Sequence, residues 1–159
     1  MTARSAAVLV VSTRAAAGHY ADRTGPVIRD WLTARGFAAI TLSVVPDAEV
    51  HEALRQALAG APELLLTTGG TGVSPDDRTP EATKPLLDAE LPGLAEELRR
   101  RGAAVAPTSL LSRGLAGVAG RTVVMNLPGS PGGVRDGLGV LGEVIDHLLD
   151  QLAGHDHSE

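Results

Sequence analysis

Residues 64–80 read LLLTTGGTGVSPDDRTP, and this stretch decides the fold. Three leucines and two threonines bounded by a glycine cluster form the short, continuous apolar run expected of a strand buried on both faces. Gly69-Gly70-Thr71-Gly72 then turns the chain, and Thr79-Pro80 has the form of a helix cap followed by a proline at the first helical position. Strand, glycine-rich turn and helix in that order are one half of a βαβ unit.

Working outward, runs of the same kind recur at Ala6–Ser12, Ile40–Val45 and Thr122–Leu127. Helical patterns fill the intervals: Pro26–Arg35 with Val27, Ile28, Trp31 and Leu32, Glu49–Leu58 with Val50, Leu54 and Leu58, and Leu94–Arg101 closed by Gly102. Pro26 after Thr24-Gly25 reads as a helix start, and Asp47 before Glu49 as an N-cap. The alternation predicts an α/β fold of three layers, αβα, with a mostly parallel sheet and ligands at the carboxyl ends of its strands. Val134, Leu138, Leu141, Ile145, Leu148 and Leu152 form one apolar seam, read as a single last helix. The length of 159 residues suits one domain over 1–152, with 153–159 as a flexible tail, the reading favoured for His155 and His157 over adventitious metal binding.

Composition narrows the function. Only Tyr20, Trp31 and Phe37 are aromatic, so the core is aliphatic and there is no platform for stacking bases. A net charge of −5 argues against nucleic acid as a partner, while a local donor cluster still suits a small anion. Of the 14 basic residues 13 are arginines, several beside glycine-rich loops: Arg14, Arg78, Arg113 and Arg135. The absence of cysteine excludes disulfides, thiolate metal sites and thiol catalysis. The first apolar run, Ala6–Val11, is too short for a signal segment or a membrane span, so a cytoplasmic protein with no membrane partner is expected.

Five loops hold the chemistry. Ser12-Thr13-Arg14 and Gly18–Gly25 form a long connection after the first strand, with His19 inside it. Gly69–Gly72 has the glycines that let backbone N–H groups face an anion, although no Gly-Lys-Ser/Thr follows and Pro75 stands where a dinucleotide fingerprint needs glycine. Taken alone it serves either a phosphate cradle or a tight turn. Ser74-Pro75-Asp76-Asp77-Arg78-Thr79 places a carboxylate beside that cradle, which points to Mg²⁺ between carboxylate and phosphate, or to turn and cap roles for Asp76 and Asp77. Val45-Pro46-Asp47 puts a second carboxylate on the same edge if the strands are neighbours. Asn126–Gly133 carries Ser130, but Pro128 breaks the Gly-x-Ser-x-Gly pattern of a serine nucleophile. Gly137-Leu138-Gly139-Val140-Leu141-Gly142 matches a dinucleotide fingerprint, yet lies within the apolar seam, where close packing is the expected reason for its glycines.

The ordered series Ser12–Gly25, Thr67–Gly72, Asp77-Arg78-Thr79-Pro80, Leu91-Pro92-Gly93, Ser112-Arg113-Gly114 and Asn126–Pro131 resembles the molybdopterin-binding domain of the MogA/MoaB family. The resemblance covers residues 8 to about 150 and implies molybdenum cofactor biosynthesis, with assembly as a trimer or hexamer. In adenylyltransferase members the terminal phosphate of molybdopterin attacks the α-phosphate of Mg-ATP, and adenylylated molybdopterin passes to a molybdate-inserting partner. By the resemblance, Asp47 and Asp77 are catalytic and linked to Mg²⁺. Substrate would be held by Ser12, Gly69, Gly70, Thr71, Gly72, Ser74, Thr79, Pro128, Gly129 and Ser130. Thr13 and Gly132 depart from the family's pattern, where aspartate and lysine are common. Two other activities fit the same fold: a non-catalytic molybdopterin-binding scaffold, and a nucleotide pyrophosphatase.

Overall fold

The structure, a computed structural model, describes residues 4–154. In chain order it consists of β1 (Arg4–Val11), α1 (Thr13–Ala16), α2 (Gly25–Ala34), β2 (Phe37–Val45), α3 (Val50–Ala59), β3 (Leu64–Thr68), α4 (Thr79–Thr83), β4 (Ala89–Glu90), α5 (Pro92–Ala103), β5 (Ala116–Ala119), β6 (Thr122–Leu127), α6 (Pro131–Gly142) and α7 (Ile145–Leu152). Single 3₁₀ turns occur at Asp47–Glu49, Lys84–Leu86 and Pro107–Leu111. One six-stranded sheet runs in the order β2-β1-β3-β6-β5-β4. The pairs β1·β2, β1·β3 and β3·β6 are parallel, while β5 and β4 add an antiparallel edge.

All five residues of β3 and all six of β6 are buried, as expected of central strands covered on both faces. Side-chain alternation splits the core in two. Ala6, Val8, Leu64, Leu66, Val123, Met125 and Leu127 pack with Ile28 and Leu32 of α2, Leu98 of α5, and Val134, Leu138, Leu141 and Ile145 of α6 and α7. Ala7, Leu9, Val11, Leu65 and Val124 pack on the opposite face with Val50 and Leu54 of α3 and Ala82 of α4. The expected three-layer α/β architecture is therefore the observed one. Among the described residues no helix is long and apolar enough to cross a membrane.

Three local expectations are corrected. The apolar seam is carried by two helices, α6 and α7, because the chain tightens through Glu143 and Val144, whose N–H groups donate to Val140 O and Leu141 O at 3.3 and 3.0 Å. The β-branched Val144 leaves helical geometry at φ −129°, so the helix restarts at Ile145 without losing the buried stripe. Asp47 does not cap a helix: Pro46 precedes the 3₁₀ turn, and the Asp47 carboxylate is turned to another strand end. Thr79 is the first residue of α4 rather than its cap, and its hydroxyl donates to Gly69 O at 3.0 Å. The helix start expected at Thr24-Gly25-Pro26 is observed: α2 begins at Gly25 with Pro26 in its first turn, and Asp22 Oδ1 accepts from the Thr24 and Gly25 amides at 3.0 and 2.9 Å. Of the expected tail only Ala153 and Gly154 are described, and His155 and His157 lie outside the described residues.

Candidate active site

Because β2, β1, β3 and β6 are parallel neighbours, the loops that follow them open along one edge of the sheet. The chain passes from β1 to β2 on one side and reaches β3 on the other, so the β1 and β3 ends form a switch point of the kind where α/β proteins bind ligands. Gly69–Gly72 lies there.

The loop is held from three sides. Gly69 N donates to Leu127 O at 3.0 Å, and Thr68 Oγ1 donates to Pro128 O at 2.7 Å, which ties β3 to the turn after β6. Gly69 and Gly70 have φ of +96° and +67°, values that favour glycine. A Cβ on Gly69 would strike Val11 O, and one on Gly70 would strike the Thr79 hydroxyl. Thr79 is fully buried, so it holds the loop from below and presents nothing to solvent.

The two aspartates flank this loop. A Cβ placed on Gly70 would lie 3.3 Å from Asp47 Oδ1, and one on Gly72 would lie 2.8 Å from Asp77 Oδ2. Asp47 Oδ2 accepts from Thr13 Oγ1 at 2.8 Å, whereas Asp77 Oδ2 accepts from Ser74 N at 3.1 Å. Each carboxylate therefore keeps its Oδ1 outside these bonds. Such hard oxygen donors, two at most, suit a divalent ion that takes its remaining ligands from water and phosphate. Among the described residues no group of three or more His, Cys, Asp or Glu side chains is placed to enclose a metal by itself.

Clefts open on either side of the contact between Gly69 and Gly129, where a Cβ on Gly129 would lie 3.5 Å from Gly69 Cα. The larger, about 660 Å³, is lined in part by Thr71, Gly72, Pro128, Ser130, Arg99 and Arg135. The smaller, about 90 Å³, is lined by Ser12, Gly69 and Gly129 together with Tyr20 and Asp22. Gly70, Ser74, Thr79 and the two aspartates line neither cleft. Ser12 and Ser130 both accept an amide hydrogen bond as helix N-caps, from Ala15 N at 3.2 Å and Gly133 N at 3.1 Å, which leaves each hydroxyl proton to donate.

Arg113, which sequence reasoning offers as an anion ligand, is instead a staple. Its Nε donates to Gly72 O at 2.8 Å and its Nη2 to Asp77 O at 3.0 Å, while Nη1 reaches both Glu81 oxygens at 2.9 and 2.6 Å. That hydrogen bond holds the Glu81 carboxyl below its ordinary pKa and raises that of Arg113. Asn126 is the other hidden organiser: 2% exposed, it donates to Thr67 Oγ1 and Thr83 Oγ1 and accepts from Leu115 N. Of the fingerprint-like glycines of α6, Gly137 is a packing residue, since a Cβ on it would strike Leu127, whereas Gly139 is exposed and packs against nothing closely.

A sequence profile described as "Probable molybdopterin binding domain" matches residues 7–147. The chain is 40% identical over 154 residues to a molybdenum cofactor biosynthesis bifunctional protein of Synechococcus elongatus, covering 96% of this chain and 48% of that protein. It spans about half the length of the bifunctional relatives it matches. A molybdopterin adenylyltransferase of Helicobacter pylori is 32% identical over 93% of this chain and 87% of its own. The solved structure of the molybdopterin biosynthesis Mog protein from Mycobacterium ulcerans superimposes with a TM-score of 0.91 at 54% identity, covering 97% of this chain and 99% of that one. With a profile match across most of its length and a backbone shared with those proteins, the chain belongs to the molybdopterin-binding domain family, the MogA/MoaB proteins of molybdenum cofactor biosynthesis.

Proposed function

We propose that this protein transfers the adenylyl group of ATP to molybdopterin. The observation that carries the reading is the pair of aspartates on either side of one glycine loop, each with an oxygen left over, at the switch point of the sheet. The name of the Helicobacter pylori relative supports it.

In this reading a terminal phosphate oxygen of molybdopterin attacks the α-phosphorus of ATP. A new O–P bond forms, the bond to the α,β-bridging oxygen breaks, and pyrophosphate leaves with that electron pair. The nucleophile is already ionised near neutral pH, so catalysis rests on positioning and charge neutralisation and needs no histidine or cysteine base. Asp47 and Asp77 would hold Mg²⁺, which supplies the positive charge that lets carboxylates and phosphates share a site. The Gly69–Gly72 loop holds the phosphates through the amides beyond Gly69, whose own N–H is taken by Leu127 O, with Ser12, Ser74, Gly129 and Ser130 adding donors around them. The larger cleft has the volume of a small-molecule site, and Pro128 and Ser130 in its wall face the pterin or its phosphate. The product passes to a molybdate-inserting partner, and the chain assembles as a trimer or hexamer; light scattering should give three or six times the 16.3 kDa chain.

Asp47→Asn and Asp77→Asn are expected to lower turnover about a hundredfold while molybdopterin affinity stays within about threefold. Kinetics with molybdopterin, Mg²⁺ and ATP beside equilibrium binding of the pterin read both quantities. Tight pterin binding by a wild-type protein that forms no product would identify a scaffold, and ATP cleavage without pterin a pyrophosphatase.

A further inference from the structure

Thr13 opens α1, a four-residue helix that buries none of its side chains. Its hydroxyl meets Asp47, 34 positions away, in two opposite hydrogen bonds: it donates to Asp47 Oδ2 at 2.8 Å and accepts from Asp47 N at 3.1 Å. One hydroxyl thereby fixes the backbone and the carboxylate of the same residue. A third bond, from Ser12 N to Val45 O at 2.9 Å, keeps the ends of β1 and β2 together behind it. The division of the carboxylate is the telling feature. Oδ2 is taken by Thr13, while Oδ1 is turned to the Gly70 side, where a Cβ would come within 3.3 Å of it. Thr13 is exposed and lies at the rim of the sheet, away from the two clusters that form the core.

Resting on the adenylyl-transfer reading, we propose that Thr13 is a positioning residue that sets the Asp47 carboxylate for the reaction. A neutral donor suits that role because it orients the anion without pairing off its charge and leaves Oδ1 directed at the glycine loop. Without the hydroxyl, Asp47 turns freely toward water, and the loss falls on the step that needs the oxygen in one place.

The test compares Thr13→Val and Thr13→Ala, which remove the hydroxyl, with Thr13→Ser, which keeps it. With molybdopterin, Mg²⁺ and ATP, the Val and Ala variants should lose about tenfold to a hundredfold in kcat, with KM for ATP within about twofold of wild type and an unchanged melting temperature. The Ser variant should keep kcat within about threefold of wild type. Hydrogen exchange supplies a readout independent of turnover: the Asp47 amide should be protected in the wild type and in Thr13→Ser, and exchange faster in Thr13→Val. A Thr13→Val enzyme with wild-type kcat, a loss that Ser does not repair, or a loss matched by an equal fall in melting temperature would overturn the proposal. If the wild type forms no adenylylated pterin, the adenylyl-transfer reading falls and takes this one with it. Product formed equally by wild type and Thr13→Val overturns the role of Thr13 alone.

Discussion

Asn126 shows how one buried side chain holds several segments of this site in place. It bonds to Thr67 in β3 and Thr83 in α4 within the protein interior, and to the half-buried Leu115 amide before β5. Asn126→Leu would leave two hydroxyls and an amide without their partner, and should cost about 2–4 kcal/mol in a urea titration. Glu81 and Arg113 make a pH-dependent contribution. The folded-state pKa of Glu81 lies below its ordinary value, because Arg113 donates to its ionised form. The unfolded chain therefore binds the proton first as pH falls, and the pair's stabilisation is present above the usual carboxylate pKa of ~4.3 and lost as pH drops through the lowered value. Wild type should be more stable than Glu81→Gln at pH 7, with the difference closing under acid; a gap that widens under acid would contradict the assignment. Single residues were only partly legible from sequence. Asp47 and Asp77 stood out because of their neighbours in the chain, whereas Thr13 is joined to Asp47 across 34 residues and Arg113 to Gly72 across 41, separations that no local pattern encodes.

The elements follow from sequence where burial is strong. β3 and β6 are continuous apolar runs and appear where the pattern places them, since each is buried along its whole length. β5 reads Ala116-Gly-Val-Ala and β4 only Ala89-Glu90, too short and too poor in large apolar side chains to announce an antiparallel edge. The seam of the last helices has the right residues on the buried face, while its break at Val144 is a backbone event that the spacing of leucines does not register. Leu141, fully buried where α6 ends, should cost about 2–5 kcal/mol on truncation to alanine. The glycine loop is less tolerant of added atoms. Gly70→Ala combines a positive φ with a Cβ against the Thr79 hydroxyl, and should lose about 1–3 kcal/mol of stability together with most turnover. A wild-type melting curve and kcat for that variant would show that the loop is a passive turn.

At the scale of the whole molecule, the strand order converts loops scattered from residue 12 to residue 130 into one surface. The βαβ alternation is enough to anticipate that loops meet at the carboxyl edge of a parallel sheet. The division of that edge into a large and a small cleft, on either side of Gly69 and Gly129, depends on how closely two turns approach, and becomes visible only in three dimensions. The two aspartates stand beside the glycine loop rather than in either cleft, which is the arrangement expected if they act on phosphates held by the loop.

Transfer of label from ATP carrying a marked α-phosphate tests this account most directly. With molybdopterin and Mg²⁺, the label is expected in adenylylated molybdopterin in equal amount to the pyrophosphate released, and Asp77→Asn should lower both about a hundredfold while still binding the pterin. Label recovered as free AMP in the absence of pterin, or no transfer by a protein that binds molybdopterin tightly, would contradict it.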